Sequence, residues 1–480
     1  MAKLLVVALV LFGLFKVISL FQYEKETRVA VKESKPFVIV IPSYNNSAYC
    51  ERNLRSVFDQ IYDNYRVIYI DDASTDDTFD KVSLLVQSLH QEKRVQLIRN
   101  ADNRGALANL YHAIHSCNND EIVVTLDGDD FLAHENVLNK LNRAYANPDT
   151  WMTYGNFVDY PTYTQKPVLC KKVPSYIVNN NSFRKHEWMT SHLRTFYAGL
   201  FKKIKLHHLL YNGRFFPMAW DLSLMLPMLE MSGKHAVFIK DILYLYNRTN
   251  PINDHKVNIK LQSDCATYAR KLTAYSRLKQ LDLRPQKDAK ADLVIFTEET
   301  SRLQAFLESL SLYAKNIDSV FILSRNNLGP IATSPPQTYF INYSDQPGEN
   351  FREVLLNTLF TLSQNRHLFF ATTQTDFTYP VDFSSCIHAL NKSGGYGFYF
   401  GYSENSPECI SLDTHCGAWQ FMTGSGNWKS SNRLDMVLYP KETLKRYLSP
   451  LPFHDLETLH TAWTSKQKSR KVGLCHIDHD

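Results

Sequence analysis

At 480 residues, with 44% hydrophobic and 13% aromatic side chains, the chain has material for two or three cored domains, which excludes wholesale disorder. Its 53 basic and 48 acidic residues leave a net charge of +5 with no basic block interleaved with aromatics, so nucleic acid is not expected as a partner. The 8 cysteines fall at no CxxC or zinc spacing, which argues against a structural zinc site or a disulfide scaffold and predicts reduced thiols.

Residues 1–22 are the exception to a soluble reading. Leu4 to Phe15 is almost wholly apolar, followed by Lys16 and then Val17 to Phe21. A core of about a dozen apolar residues fits a signal segment, and about nineteen with one snorkelling lysine fit a single membrane anchor. Lys25, Arg28, Lys32 and Lys35 follow, with only Lys3 before. That bias places the rest of the chain on the cytoplasmic side of a membrane.

Strands and helices then alternate. Phe37 to Ile41, Val67 to Ile70, Val95 to Ile98 and Ile122 to Leu126 are short apolar runs that predict buried strands. Between them, Leu54/Val57/Phe58/Ile61, Val82/Leu85/Val86/Leu89 and Leu107/Leu110/Tyr111/Ile114 each form a helical stripe. The spacing predicts an α/β fold on a mainly parallel sheet, with ligands at the carboxyl ends of its strands.

Those ends carry the chemistry. The fourth strand runs into Asp127-Gly128-Asp129-Asp130, where closely spaced carboxylates can present oxygen ligands to Mg²⁺ or Mn²⁺ and Gly128 allows a tight approach. The second strand ends in Asp71-Asp72-Ala73-Ser74-Thr75-Asp76, and the first in Pro42-Ser43-Tyr44-Asn45. Taken alone, the acids at Asp71 and Asp72 suit the start of a helix just as well. Further on, Trp220-Asp221 opens a helical apolar pattern with an acid in its first turn.

Pro42-x-Tyr44-Asn45, Asp71-Asp72-Ala73-Ser74-Thr75-Asp76, Asn103-Arg104-Gly105 and Asp127-Gly128-Asp129-Asp130 occur in one order across residues 36–257. In this series the chain resembles the GT-A glycosyltransferases of family 2, which use nucleotide sugars. The resemblance implies nucleotide-sugar contacts from Pro42, Tyr44, Asn45, Asp71, Asp72, Arg104, Gly105, Asp127, Gly128 and Asp129, with Asp72 on the base of a UDP-sugar. It implies a divalent metal, Mn²⁺ or Mg²⁺, held by the Asp127-x-Asp129 pair with Asp130 sharing it. Asp221 stands at the catalytic acid position, where Trp220 replaces the first acid of the family's usual Glu-Asp. His192 and Arg194 resemble a segment lining the acceptor or diphosphate side, with His192 expected to orient or pack rather than to exchange protons. Tyr246 to Pro251 resembles the loop that closes over the donor. The function implied is inverting sugar transfer to a hydroxyl of a saccharide or glycolipid acceptor.

After a helical linker, residues 258–287, the pattern starts again. Leu293 to Phe296, the Leu303/Phe306/Leu307/Leu310 stripe, Val320 to Leu323 and Leu368 to Ala371 repeat the first half's opening. Residues 288–480 are therefore expected to form a diverged second GT-A-like domain. Ser324-Arg325 replaces the Asp-Asp pair and Asp376 stands without a second nearby acid, so no chemistry is expected there. The aromatics of Trp419 to Trp428 are expected in its core, and the tail from Cys475 to Asp480 as a frayed end.

Two other readings fit part of this pattern. A non-catalytic carbohydrate-binding or scaffold protein would keep the fold without the acids, as the second half does. A nucleotidyltransferase would need a Gly- and Lys/Arg-rich loop after the first strand, which is missing. Two sequons, Asn45-Asn46-Ser47 and Asn247-Arg248-Thr249, lie in the expected donor loops, and a glycan there would obstruct the nucleotide, again favouring a cytoplasmic location.

Overall fold

The structure is a computed structural model that describes residues 33–165, 170–251, 257–284, 289–328, 337–346, 349–400, 408–412 and 415–477. Residues 1–22, expected to be an anchor or signal segment, lie outside these. Among the described residues no helix is long and apolar enough to cross a membrane.

The first sheet is built from β1 (Phe37–Ser43), β2 (Tyr65–Asp71), β3 (Val95–Arg99), β4 (Ile122–Thr125), β5 (Phe131–Leu132), β6 (Met152–Tyr160), β7 (Arg194–Tyr197) and β8 (Ala236–Asn247). Their spatial order is β3-β2-β1-β4-β7-β6-β8-β5. The strands β3, β2, β1 and β4 run parallel, and β7 enters reversed beside β4. Parallel strands are buried on both faces, which is why β1 reads as an unbroken apolar run and every one of its residues is buried.

Three helices cover this sheet: α1 (Cys50–Phe58), α2 (Thr78–Ser88) and α3 (Ala106–Ser116). All four stripe residues of α3 are buried, and Val82 and Val86 anchor α2. Ile61 departs from expectation. The first helix stops at Phe58, and Ile61 lies beyond it, 63% exposed, with its N–H on the carbonyl of Glu135. The helix α4 (Trp220–Ser232) is buried almost throughout after its first turn, including Glu230, whose carboxylate takes two hydrogen bonds from Arg184. Residues expected to be a linker instead pack here. Cys265 and Ala269 of α5 (Ile259–Lys271) are buried, the Ala269 carbonyl accepts from Arg184, and the Tyr275 N–H donates to Glu230.

The second sheet comprises β9 (Ala291–Phe296), β10 (Ile317–Ser324), β11 (Thr338–Asn342), β12 (His367–Thr372), β13 (Gly397–Tyr399), β14 (Ile410–Ser411), β15 (Cys416–Gln420), β16 (Val437–Pro440) and β17 (Val472–His476). Its order is β11-β10-β9-β12-β16-β13-β17-β15-β14. Strand for strand, the first seven positions match the first sheet in order, and their neighbours pair with the same orientation. The eighth differs in connection: β5 follows β4 directly in the chain, whereas β15 comes only after β13 and β14. One apolar cluster runs through both units, from Phe37 to Leu474, so they share a core. Trp419 and Trp428 are buried edge-to-face at 4.8 Å between ring centres, in a second cluster on the second sheet.

Candidate active site

Strand β4 ends by handing the chain to a turn, and a buried amide from α1 holds that turn. Asn53, fully buried on the apolar face of the helix, donates through Nδ2 to the carbonyls of Asp127 (2.9 Å) and Asp130 (2.7 Å). Gly128 sits against β1: its N–H bonds to the Pro42 carbonyl, and a Cβ there would lie 2.6 Å from Ser43 Oγ and 2.7 Å from Asn46 Nδ2. Only glycine fits such an approach. Asp127 and Asp129 are both partly exposed in this turn.

Asp130 is fully buried. Its carboxylate accepts from the Tyr244 phenol (2.6 Å) and the Asn247 N–H (2.6 Å), so it ties the turn to β8. Burial, with Asp129 and Asp127 adding to it, pushes its pKa well above the usual carboxylate range. The carboxyl of Asp127 is also raised, by burial against the opposing pull of Arg194, with Asp221 adding to the rise. His192 stacks on Tyr244 at 4.4 Å, and burial first, then Arg194 and Arg248, keep it neutral. Ligand atoms of Asp127, Asp130 and His192 lie within 4.8 Å of one another. Two carboxylates and a neutral imidazole suit a divalent cation that accepts mixed oxygen and nitrogen ligands, and such a charge would relieve the crowding of acids.

Asp129, expected as a metal ligand, is not in that group. Its Oδ2 accepts from Asn250 Nδ2 at 2.8 Å, and Asn250 also reaches Asn46 Oδ1 at 3.4 Å. The segment expected to cover the donor thus lies on the acidic turn from Asn247 to Asn250. Asn247 is fully buried, with its Oδ1 accepting from Thr249, which leaves that sequon inaccessible in the folded chain.

At the end of β2, Asp72 accepts from Asn100 Nδ2 (2.7 Å) and from the N–H groups of Arg104 (2.9 Å) and Gly105 (2.8 Å). Gly105 holds φ +85°, and its position begins α3. Arg104 serves through its backbone; its side chain is exposed. Asp71 is fully buried, with Oδ2 accepting from the Ser74 N–H. Its Oδ1 has no hydrogen-bond partner among the described residues. Asn45 is left-handed at φ 52° and its Oδ1 accepts from the Thr75 N–H, joining the first and second loops, while Tyr44 stands 38% exposed at their edge.

Arg194 lies between the two halves of the site. It is 3% exposed, with Nη2 3.3 Å from His192 Nε2 and 3.9 Å from Asp221 Oδ2, and its guanidinium lies 5.1 Å from the Trp220 ring centre. Its Nε and Nη1 are buried without a hydrogen-bond partner among the described residues. A buried guanidinium with unused donors costs free energy that an incoming anion would recover. Asp221 opens α4, and Ala219 just before it takes a left-handed conformation, φ 49°. Burial raises the Asp221 carboxyl above its ordinary value, with Arg194 opposing.

Asn53, Asn100 and Tyr244 were not singled out from the sequence, and Asn250 was named only as part of the loop expected over the donor. Asn53 left one signal, a polar residue on the same helix face as Cys50, Leu54 and Val57; the others act through partners tens of residues away.

In the second unit, Glu298, just after β9, reaches across to the end of β10, where Ser324-Arg325 replaces the Asp-Asp pair. Its carboxylate accepts from Ser324 Oγ (3.0 Å), the Arg325 N–H (3.1 Å), the Asn326 N–H (3.1 Å) and the Tyr343 phenol (2.9 Å). After β12 the expectation of a lone acid needs correcting. Asp435 accepts from Thr372 N–H, Thr372 Oγ1 and Thr375 Oγ1, so a second acid arrives from the start of β16 and is spent on hydroxyls and an amide.

Residues 38–212 match the family model described as Glycosyl transferase family 2. An uncharacterized glycosyltransferase of Haemophilus influenzae is 32% identical over 119 residues, 25% of this chain and 46% of that protein. Glycosyltransferase GlyG of Streptococcus pneumoniae is 22% identical over 223 residues, 44% of this chain and 70% of that protein. The chain thus spans about half the length of the first of these relatives. Crystalline S. aureus TarS 1-349 in complex with UDP-GlcNAc is 16% identical, with a TM-score of 0.36 over 46% of this chain and 60% of that one, too slight a likeness to carry anything about ligands. It is through residues 38–212, little more than a third of its length, that the chain is similar to glycosyl transferase family 2.

Proposed function

We propose that the chain transfers a sugar, with inversion, from a nucleoside-diphosphate donor, in the first instance a UDP-sugar, to a hydroxyl of a saccharide or glycolipid acceptor. The observation that carries this reading is Arg194: a buried guanidinium with two unused nitrogens, set between the acids at Asp127 and Asp221. A diphosphate is the anion that such a cradle suits. Asp72, held by Asn100 and the Arg104–Gly105 backbone, would face the base, with Tyr44 and Asn45 along its edge. Asp127, Asp130 and His192, with Asp129 alongside, would hold Mn²⁺ or Mg²⁺. When bound, that cation neutralises charge on the departing diphosphate.

In the transfer itself, Asp221 takes the proton from the acceptor hydroxyl as its oxygen bonds to the anomeric carbon, and the bond from that carbon to the diphosphate breaks. A single displacement of this kind inverts the centre. A carboxyl raised by burial is the better base for it, because basicity rises with pKa. The second unit is read as a diverged repeat without a donor site, since Ser324-Arg325 stands in place of the Asp-Asp pair and Glu298 spends its carboxylate on Ser324, Arg325, Asn326 and Tyr343. The basic residues after the apolar segment and the sequon at Asn45 favour a site at the cytoplasmic face of a membrane, with residues 1–22 as the anchor.

The deciding experiment is hydrolysis and transfer with a panel of nucleotide sugars, with Mn²⁺ or EDTA. Turnover of one donor that EDTA abolishes, and that Asp129→Asn lowers by orders of magnitude, is expected. Equal turnover in EDTA would remove the metal, and no turnover of any donor would favour the non-catalytic, carbohydrate-binding reading.

A further inference from the structure

Where the two units meet, a cavity of about 200 Å³ is lined by Lys205 and His207 from the first and by Tyr396, Arg446, Tyr447 and Lys471 from the second. The sequence places these cations far apart: Lys205 in the turn after a short helix, Arg446 in the last turn of the helix Lys441–Tyr447, and Lys471 just before β17. Folding brings them to one space.

Their charges are not balanced there. Elsewhere lysines find acids, as Lys140 does with Asp241 at 2.6 Å and Lys290 with Asp318 at 2.8 Å. Among the described residues no carboxylate lies within ion-pair distance of Lys205, Arg446 or Lys471, and Glu442 is the one acid in the lining. Lys471 donates instead to His207 Nε2 at 3.1 Å. Accepting that bond requires a neutral ring, and burial, with His208, Lys471 and Lys205 beside it, keeps His207 so. Lys468 adds a further positive charge, with its Nζ 4.4 Å from the Tyr447 ring centre.

Like charges gathered in a half-enclosed space repel in proportion to how little water screens them, and an anion removes that penalty. We propose that this junction cavity is a binding site for a phosphate group. Three cations from three segments can approach a tetrahedral oxyanion from different sides, with the guanidinium fork of Arg446 taking two oxygens. A single carboxylate would leave two of them unbalanced. The Tyr447 ring borders the same space and carries Lys468 and Arg446 over it, at 4.4 and 5.2 Å from its centre, which holds these cations beside the cavity. None of this depends on the donor reaction.

The test titrates inorganic phosphate into the full chain by calorimetry, at ionic strength held constant with chloride. Saturable binding is expected, weakened at least about tenfold in Lys471→Met and in Arg446→Gln, as losing a charge-assisted hydrogen bond implies. It should persist in Asp129→Asn, which separates it from the acidic turn. Melting supplies a second readout. In chloride Arg446→Gln should melt at or above the wild type, because repulsion is relieved, and phosphate should raise the wild type alone. A flat wild-type titration, or variants that bind as the wild type does, would overturn the site. Tighter binding of glucose 1-phosphate than of inorganic phosphate assigns a phosphorylated sugar; equal binding assigns the free ion.

Discussion

The phenol of Tyr244 donates to Asp130 Oδ2 at 2.6 Å and receives the Asp127 N–H at 3.3 Å, so one side chain of β8 fixes both ends of the acidic turn. Replacing it by phenylalanine leaves a buried carboxylate with one partner fewer. We expect Tyr244→Phe to cost about 1–3 kcal/mol, the usual penalty for an unsatisfied buried polar group, with transfer falling alongside. Urea unfolding and a donor-hydrolysis assay check the two effects separately; unchanged stability would show that the bond is dispensable.

Gly128→Ala tests the close approach. The new Cβ would meet Ser43 Cβ at 2.7 Å as well as its Oγ at 2.6 Å, so the backbone of β1 or of the turn has to move. A loss of about 1–3 kcal/mol is typical of overpacking. Because Ser43 Cβ remains, adding Ser43→Ala should not restore turnover. Full rescue by that second change would mean that the hydroxyl alone sets the fit.

Asp221→Asn should abolish transfer and spare donor binding, which equilibrium titration with the nucleotide reads directly. Its pH signature is distinct. Burial raises the folded-state pKa of Asp221, so the native chain binds more protons than the unfolded one between the two pKa values. Stability from this group is present below the unfolded value and declines as pH rises through the folded one. The asparagine variant should therefore match or exceed the wild type in melting temperature at neutral pH and lose that advantage in acid. A variant less stable than the wild type at every pH would contradict this sign.

The second unit predicts a contrast. Burial works to raise Glu298, but hydrogen bonds from the Arg325 N–H, Tyr343, Ser324 and the Asn326 N–H win and hold it below its ordinary value. Its contribution to stability is thus present above the unfolded pKa and lost as pH falls through the folded one. Glu298→Ala should lower the melting temperature at neutral pH, much less so in acid, and leave donor turnover near wild type. Asp376→Asn, at an exposed position, should change neither. A drop in turnover comparable to that of Asp129→Asn would reveal a second working site.

What the sequence determined by itself was whatever is periodic or contiguous. The runs Phe37 to Ile41 and Ile122 to Leu126 announce buried strands because both faces of a parallel strand need apolar side chains, and the stripe Leu107/Leu110/Tyr111/Ile114 announces its helix because 3.6 residues per turn puts them on one face. Asp127, Asp129 and Asp221 were legible for the same reason: they sit at the ends of such elements, where α/β sheets present ligands. Only the tertiary structure decided which acids do what. Asp130 spends its carboxylate on Tyr244 and Asn247, more than a hundred residues away; Asp129 is met by Asn250; Asp435 reaches Thr372 from just before the neighbouring strand β16, some sixty residues on in the chain. These pairings depend on crossovers between distant strands, and a hydrogen bond made across such a distance leaves no period in the chain to read. The cations at Lys205, Arg446 and Lys471 belong with them, since their shared cavity exists only once the two units have packed on one core.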